Sequence, residues 1–335
     1  MAKKRASKSK SSGSKKGASS SSKAAAINYV ADQPPVVPPR RRQCGAMAAH
    51  YRLLEQDPGF RQRQLDIENV VARTMVTGRI ARTGGPTIIP VVVHVVFNNA
   101  RENISLSQIK SQIAVLNKDF RAKNPDRTNT PAVWKGLVTD ANIQFELAKK
   151  DPKGKATNGV TRTQTTRTSF GSNDSVKSAA TGGADPWPTD RYLNIWVCTL
   201  GGGLLGYVQF PGGPSATDGV VILNTAFGTS GTATAPFNRG RSATHEIGHW
   251  LNLIHIWGDT QHCEGTDLVD DTPNAQQPNF GKPTFPHITC NNGPNGDMFM
   301  NYMDYSDDDS MFMFTAGQVT RMTATLDGPR STIGK

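Results

Sequence analysis

Cysteine is scarce: four residues, Cys44, Cys198, Cys263 and Cys290, in a chain of 335. That is too few for a disulfide-dense scaffold, so the fold must rest on a packed core, for which the length suffices. No apolar run reaches the roughly 20 residues that cross a bilayer. No signal peptide is expected either: Lys3-Lys4-Arg5 is followed by serine, glycine and more lysine where an apolar stretch belongs. Acid is nearly absent from the start. Residues 1–43 hold eleven Lys or Arg and one acid, Asp32, so they carry +10 of the formal +11, and the remainder is close to neutral. The charge therefore belongs to a Lys/Ser/Gly/Ala tail ending in Pro34-Pro35-Val36-Val37-Pro38-Pro39. Such composition cannot build a core and is expected to be disordered, with contact to nucleic acid or another anionic polymer as the functional alternative. The cluster Gly201-Gly202-Gly203 lacks the spacing of a dinucleotide fingerprint.

What the chain does contain is His245-Glu246-Ile247-Gly248-His249-Trp250-Leu251-Asn252-Leu253-Ile254-His255, with Asn301-Tyr302-Met303-Asp304-Tyr305 downstream. Histidines four apart share a helix face, so His245 and His249 can hold one ion, and Glu246 is placed to act on a water. On a continued helix His255 would point roughly 80 degrees away from His245 and lie too far along the axis to join them. The chain must therefore turn back at about Asn252, a residue type that tolerates the left-handed conformation. Three of seven histidines in eleven residues, with the glutamate in place, argue against chance placement on a core helix.

This stretch resembles the metzincin signature H-E-x-x-H-x-x-G-x-x-H, with Asn252 in place of the usual glycine, and the run to Asp259 is similar to the pappalysin family. The resemblance implies an extracellular, single-zinc endopeptidase made as a latent zymogen and hydrolysing peptide bonds by metal-activated water. His245, His249 and His255 would ligate zinc, Glu246 would be the general base, and Tyr305 would donate to the developing oxyanion. Met303 would be the Met-turn methionine beneath the histidines, and Cys263–Cys290 the family's disulfide. Asp308 matches an aspartate of relatives specific for basic residues, implying a pocket for Arg or Lys after the scissile bond. Backbone groups of Leu204, Leu205, Gly206 and Tyr207 would pair with an extended substrate, an ordinary glycine-rich hairpin being the alternative. Asp267 and Thr272 are expected calcium ligands, against a solvated acidic loop. Arg42-Gln43-Cys44-Gly45 resembles a latency element whose thiolate closes the zinc position reserved for water, so the pro-segment would be an intramolecular inhibitor; an incidental cysteine is the alternative.

The expected organisation is a disordered basic tail (1–43), a pro-segment (44–84) and a catalytic domain (85–335) divided into an upper part (85–252) and a lower part (253–335). Ala46 to Leu54 and Arg63 to Met75 read as helices, followed by a cleavable junction at Arg79, Arg82 and Gly84. Thr87 to Asn98 reads as a central strand. A helix through Ile109, Ile113, Leu116 and Phe120 and a strand at Ile143 to Leu147 complete a crossover unit. The fold class is thus α/β (α+β) and metzincin-like: a twisted mixed sheet with a backing helix and active-site helix above, and an irregular lower part closed by a helix from Thr315 to Leu326. A non-catalytic, zinc-stabilised surface-binding protein is the rival reading, disfavoured by intact Glu246 and Tyr305.

Overall fold

The computed structural model describes residues 39–77 and 85–334. Most of the basic tail and the Arg79–Arg82 junction lie outside the described residues. Two helices come first, α1 (Ala46–Gln56) and α2 (Phe60–Thr77). Strand β1 (Thr87–Phe97) is followed by α3 (Leu106–Asp119), β2 (Ile143–Leu147), β3 (Val160–Gln164), β4 (Leu193–Cys198), β5 (Gly206–Val208) and β6 (Val220–Leu223). The ligand-bearing helix α4 (Arg241–Trp250) and the closing helix α5 (Ala316–Asp327) complete the elements. Among the described residues no helix is long and apolar enough to cross a membrane.

The strands form one sheet in the order β2-β1-β4-β6-β5, with β3 also pairing with β1. All pairs are parallel except β5 with β6. A parallel sheet is covered on both faces, and β1 and β4 show why these sequences suit it: they are nearly continuous β-branched or apolar runs. Ile89, Val91, Val93, Val95 and Phe97 alternate onto the face packed by α3 and α4, together with Leu193, Ile195 and Val197. Val96, Trp196 and Cys198 enter the core of the opposite face. His94 points that way too, its ring stacked on Trp196 and bonded to Thr161 and Asn194 at 2.8 and 2.9 Å, which makes it a packed strand residue.

Helix boundaries follow their caps. Ser105 accepts a hydrogen bond from the Gln108 amide and starts α3. Thr315 and Gln318 form a reciprocal capping box at the start of α5. At the start of α4, Ser242 and Thr244 are the residue types that commonly cap, yet neither does so. Gly240 stands at the cap in the left-handed region, and the Asp308 carboxylate takes the orphan amides of Arg239 (2.7 Å) and Arg241 (3.3 Å) from across the chain. A buried acid at a helix N-terminus meets the positive end of the dipole. Ser242 and Thr244 are thereby released for other partners.

Candidate metal centre and cleft

The turn at Asn252 is what brings the third histidine back. Asn252 has φ 70°. Its amide bonds to the His249 carbonyl (2.8 Å) and the Leu253 amide to the Gly248 carbonyl (2.9 Å), the paired contacts of a Schellman ending. The chain then reverses, and the Nε2 atoms of His245, His249 and His255 lie 3.0–3.2 Å apart.

Each ring is fixed through its other nitrogen. His245 Nδ1 faces the Tyr302 carbonyl and His249 Nδ1 the Leu253 carbonyl, both at 2.7 Å, and His255 Nδ1 faces Asp259 Oδ1 at 2.6 Å. A proton on each Nδ1 satisfies those acceptors and leaves three Nε2 lone pairs converging on one point. Burial, then the neighbouring rings, hold the His245 and His249 pKa values well below the ordinary range, so both are neutral ligands. Three mutually facing lone pairs repel unless a cation sits among them. Nitrogens about 2.0–2.1 Å from a tetrahedral zinc stand ~3.3 Å apart, close to the separations here. The donor set therefore fits zinc, and Cys44 Sγ completes a group in which all four ligand atoms lie within 4.8 Å of one another.

Two glycines let other groups approach. A Cβ on Gly248 would fall inside the surface of the Met303 sulfur and 3.3 Å from its methyl carbon, so Met303 packs directly against the ligand helix. It is fully buried, and its amide is held by the Asn301 side chain. A Cβ on Gly206 would lie 2.8 Å from Glu246 Cγ, so the rim strand β5 can pass against Glu246 only as glycine. Burial pushes the Glu246 carboxyl up to about 8, with the Cys44 hydrogen bond and the Arg42 charge pulling the other way.

Residues 42–45 lie in the cleft. Cys44 Sγ donates to Glu246 Oε2 (3.2 Å), and the Cys44 amide donates to the Tyr305 hydroxyl (3.3 Å). Burial and then the Glu246 charge raise the thiol pKa well above its ordinary value. The segment runs parallel to β5, with Leu205 N bonded to Gln43 O and Gly45 N to Gly206 O, both at 2.9 Å. Of the four residues expected to present backbone to an extended chain, Leu205 and Gly206 thus do so; Leu204 N turns to Gly201 O, and Tyr207 packs its ring inward. Arg42 lies buried, although it falls within the stretch read as a disordered tail. Its guanidinium donates to Asp308 Oδ1 (2.7 Å), Ser242 Oγ (3.1 Å) and the Ser306 carbonyl (3.2 Å), over the face of Phe237.

Tyr305 is wedged between Trp257, His255 and Phe280. Burial above all raises its pKa, so its hydroxyl remains a donor. Cys263 and Cys290 are bonded, as expected, with Cα atoms 5.7 Å apart, and Cys198 is a free buried thiol. Asp267 and Thr272 do meet, but as partners of each other: the Thr272 hydroxyl lies 2.8 Å from both carboxylate oxygens. No third His, Cys, Asp or Glu joins them in a metal-ligating group among the described residues. The expected calcium site thus gains no support from the arrangement.

Several supporting residues escaped the sequence reading. Arg241 pairs with Asp119 and Asp126 and bonds the Tyr302 hydroxyl at 2.5 Å, while Thr244 donates to Asp119 at 2.7 Å. This buried cluster ties α3, α4 and the Met303 segment together behind His245. Glu68 of α2 grips Asn252 Nδ2 (2.8 Å) and Arg321 (2.9 and 3.0 Å). Neither cluster carries a local motif; each assembles residues more than a hundred positions apart.

Sheet, reversed ligand helix and three convergent imidazoles define a metzincin-like zinc metalloendopeptidase. Comparison with known proteins agrees. The peptidase M43 model, described as pregnancy-associated plasma protein-A, matches residues 177–327. The chain is 32% identical over 247 residues to an extracellular metalloprotease of Arthroderma benhamiae, covering 72% of this chain and 77% of that protein. A promirolysin mutant of Tannerella forsythia superposes with TM-score 0.81 at 47% identity, covering 88% of this chain and 97% of the other. Mature mirolysin in complex with a cleaved peptide superposes with TM-score 0.74 at 51% identity, covering 75% and 97%. The chain belongs to the M43, or pappalysin, family of zinc metalloendopeptidases.

Proposed function

We propose that the protein is a latent endopeptidase whose zinc is held by His245, His249 and His255 and covered by Cys44, and that once freed it cleaves peptide bonds before Arg or Lys. The observation that carries this reading is the joint placement of Cys44 and Arg42. The thiol stands as a fourth ligand atom beside the three imidazoles, all within 4.8 Å of one another, and the guanidinium fills the pocket floored by Asp308. A pocket that seats the chain's own arginine with three hydrogen bonds is shaped for a basic side chain. The tail is then 1–43, with Arg42 already part of the inhibitory contact, the pro-segment 44–84, and the catalytic domain 85–335, its upper part 85–252 and lower part 253–335. The promirolysin match covers more of this chain than the mature mirolysin match does, by about the length of such a segment. Secretion fits the name of the fungal relatives, extracellular metalloprotease.

The zinc supplies a Lewis acid that polarises the peptide carbonyl and makes a water acidic. Leu205 N and Gly206 O align the peptide along β5. Asp308 fixes the residue after the bond. Glu246, once Cys44 has withdrawn, takes the proton of the attacking water and hands it to the departing amine. Tyr305 donates to the oxygen on which negative charge develops. The test is Glu246→Gln: peptide cleavage should fall by at least ~100-fold with zinc still bound at one ion per chain. Cleavage retained in that variant refutes the assignment. N-terminal sequencing of the active species and a peptide-library digest report the processing site and the basic preference together.

A further inference from the structure

The pro-segment leaves the metal on the side opposite Arg42, and there a second arginine is caught. Cys44 is followed by Gly45, where a Cβ would lie 2.9 Å from Tyr207 Cβ, 3.3 Å from Ser172 Cβ and 3.4 Å from Leu204. The trough beyond the metal is therefore walled by β5 on one side and by residues 170–174 on the other. That second wall is fixed, since Phe170 exchanges backbone bonds with Thr199 (3.0 Å) and Gly201 (2.9 Å). From α1, Arg52 reaches back to this wall. One guanidinium nitrogen donates to the Ser172 carbonyl and another to Asp174 Oδ2. Asp174 is itself pre-set: its backbone is left-handed at φ 62°, and its other oxygen, Oδ1, stands 2.8 Å from the ammonium of Lys177. Lys177 is buried against the Tyr207 and Trp196 rings and donates to the Thr217 carbonyl at 2.7 Å. Lysine thus offsets part of the aspartate's charge, while Oδ2 and the Ser172 carbonyl are the two acceptors that Arg52 takes.

We propose that Asp174 Oδ2 and the Ser172 carbonyl form a subsite for an arginine on the amino-terminal side of the scissile bond. This rests on the peptidase reading above. With the residue after the bond seated on Asp308, the residues before it must occupy the trough on the Asp174 side. Two acceptors in a fixed pair suit the planar fork of a guanidinium better than the single point of an ammonium, so arginine is preferred over lysine. Lys177 offsets part of the aspartate's charge, and what remains adds charge assistance to the two hydrogen bonds, so the preference depends on the carboxylate itself.

The test uses enzyme activated from the full chain and a parent peptide with one arginine after the cut and alanine at the four positions before it. Arginine, then lysine, is placed at each of those four positions in turn. Arginine at one of them should raise kcat/KM about fivefold over alanine, and lysine less. In Asp174→Asn the arginine-to-alanine ratio should collapse toward one. A parent peptide left uncut would mean that the peptidase reading itself has failed. A parent that is cut, with a flat scan in the wild type, overturns the subsite. So does an arginine gain that persists undiminished in Asp174→Asn. Should Asp174→Asn fail to fold, the wild-type scan alone decides.

Discussion

Replacing Gly248 by alanine sets two effects of opposite sign against each other. In a helix interior alanine is favoured over glycine by about 1 kcal/mol, so a solvent-facing Gly248 would make the variant more stable. Here the added methyl meets the Met303 sulfur inside its van der Waals surface, and Leu253 Cδ1 lies 3.5 Å away. Met303 is fully buried beneath the ligand helix, and its backbone is tied to Asn301 and Ile256. The thioether therefore has little room to yield. Overpacking of this kind costs typically 1–3 kcal/mol, and an overlap this deep belongs toward the upper end. The net expectation is a loss of about 1–2 kcal/mol, seen as a fall of a few degrees in the thermal midpoint. Zinc affinity should weaken as well, because His245 and His249 flank Gly248 on the same helix. The decisive comparison is a double-mutant cycle with Met303→Ala: once the side chain is shortened, Gly248→Ala should become neutral or stabilising. A raised midpoint in the single variant, or equal effects in both backgrounds, would refute the packing account.

Glu68→Ala leaves the buried Arg321 guanidinium without its carboxylate and frees Asn252, loosening α2 by about 2 kcal/mol; under the proposed latency, conversion to the active form should accelerate, and an unchanged conversion time would count against Glu68 as an anchor. His94 is held neutral by burial, its pKa lowered from 6.5 to about 4. Its contribution is fully present above pH 6.5 and is lost as pH falls toward 4, up to about 3 kcal/mol. His94→Gln should flatten the stability profile across that window, and a slope equal to wild type would show that other groups set it. Opening the Cys263–Cys290 bridge by Cys263→Ala with Cys290→Ala should cost about 3.5 kcal/mol from the separation of 27 residues it closes, read as a lower midpoint.

The legible parts of the sequence were those in which chemistry and spacing lie close together. The ligand helix, its reversal at Asn252 and the strands β1, β2, β4 and β6 all follow from local patterns of a few residues. Residues whose roles depend on distant partners stayed hidden. Arg42 sits in a basic run that looks solvated, and only the folded cleft shows the carboxylate it meets. Asp308 stood out as a pocket acid by resemblance, yet its grip on the Arg239 and Arg241 amides could not be foreseen from residues nearly seventy positions away. Ser242 and Thr244 carried the local cap signal, and tertiary partners claimed both hydroxyls: Arg42 donates to one, and the other bonds Asp119.

Asp308 divides its two oxygens between two duties. Oδ1 receives the Arg42 guanidinium, while Oδ2 secures the Arg239 and Arg241 amides where the ligand-bearing helix starts. Under the proposed basic preference, substrate choice and the footing of the metal site are therefore welded at a single carboxylate. An attempt to retarget the enzyme by altering this residue would unseat the helix along with the preference. A redesigned pocket must first find those amides another acceptor, and a lineage drifting toward new substrates would face the same obstacle.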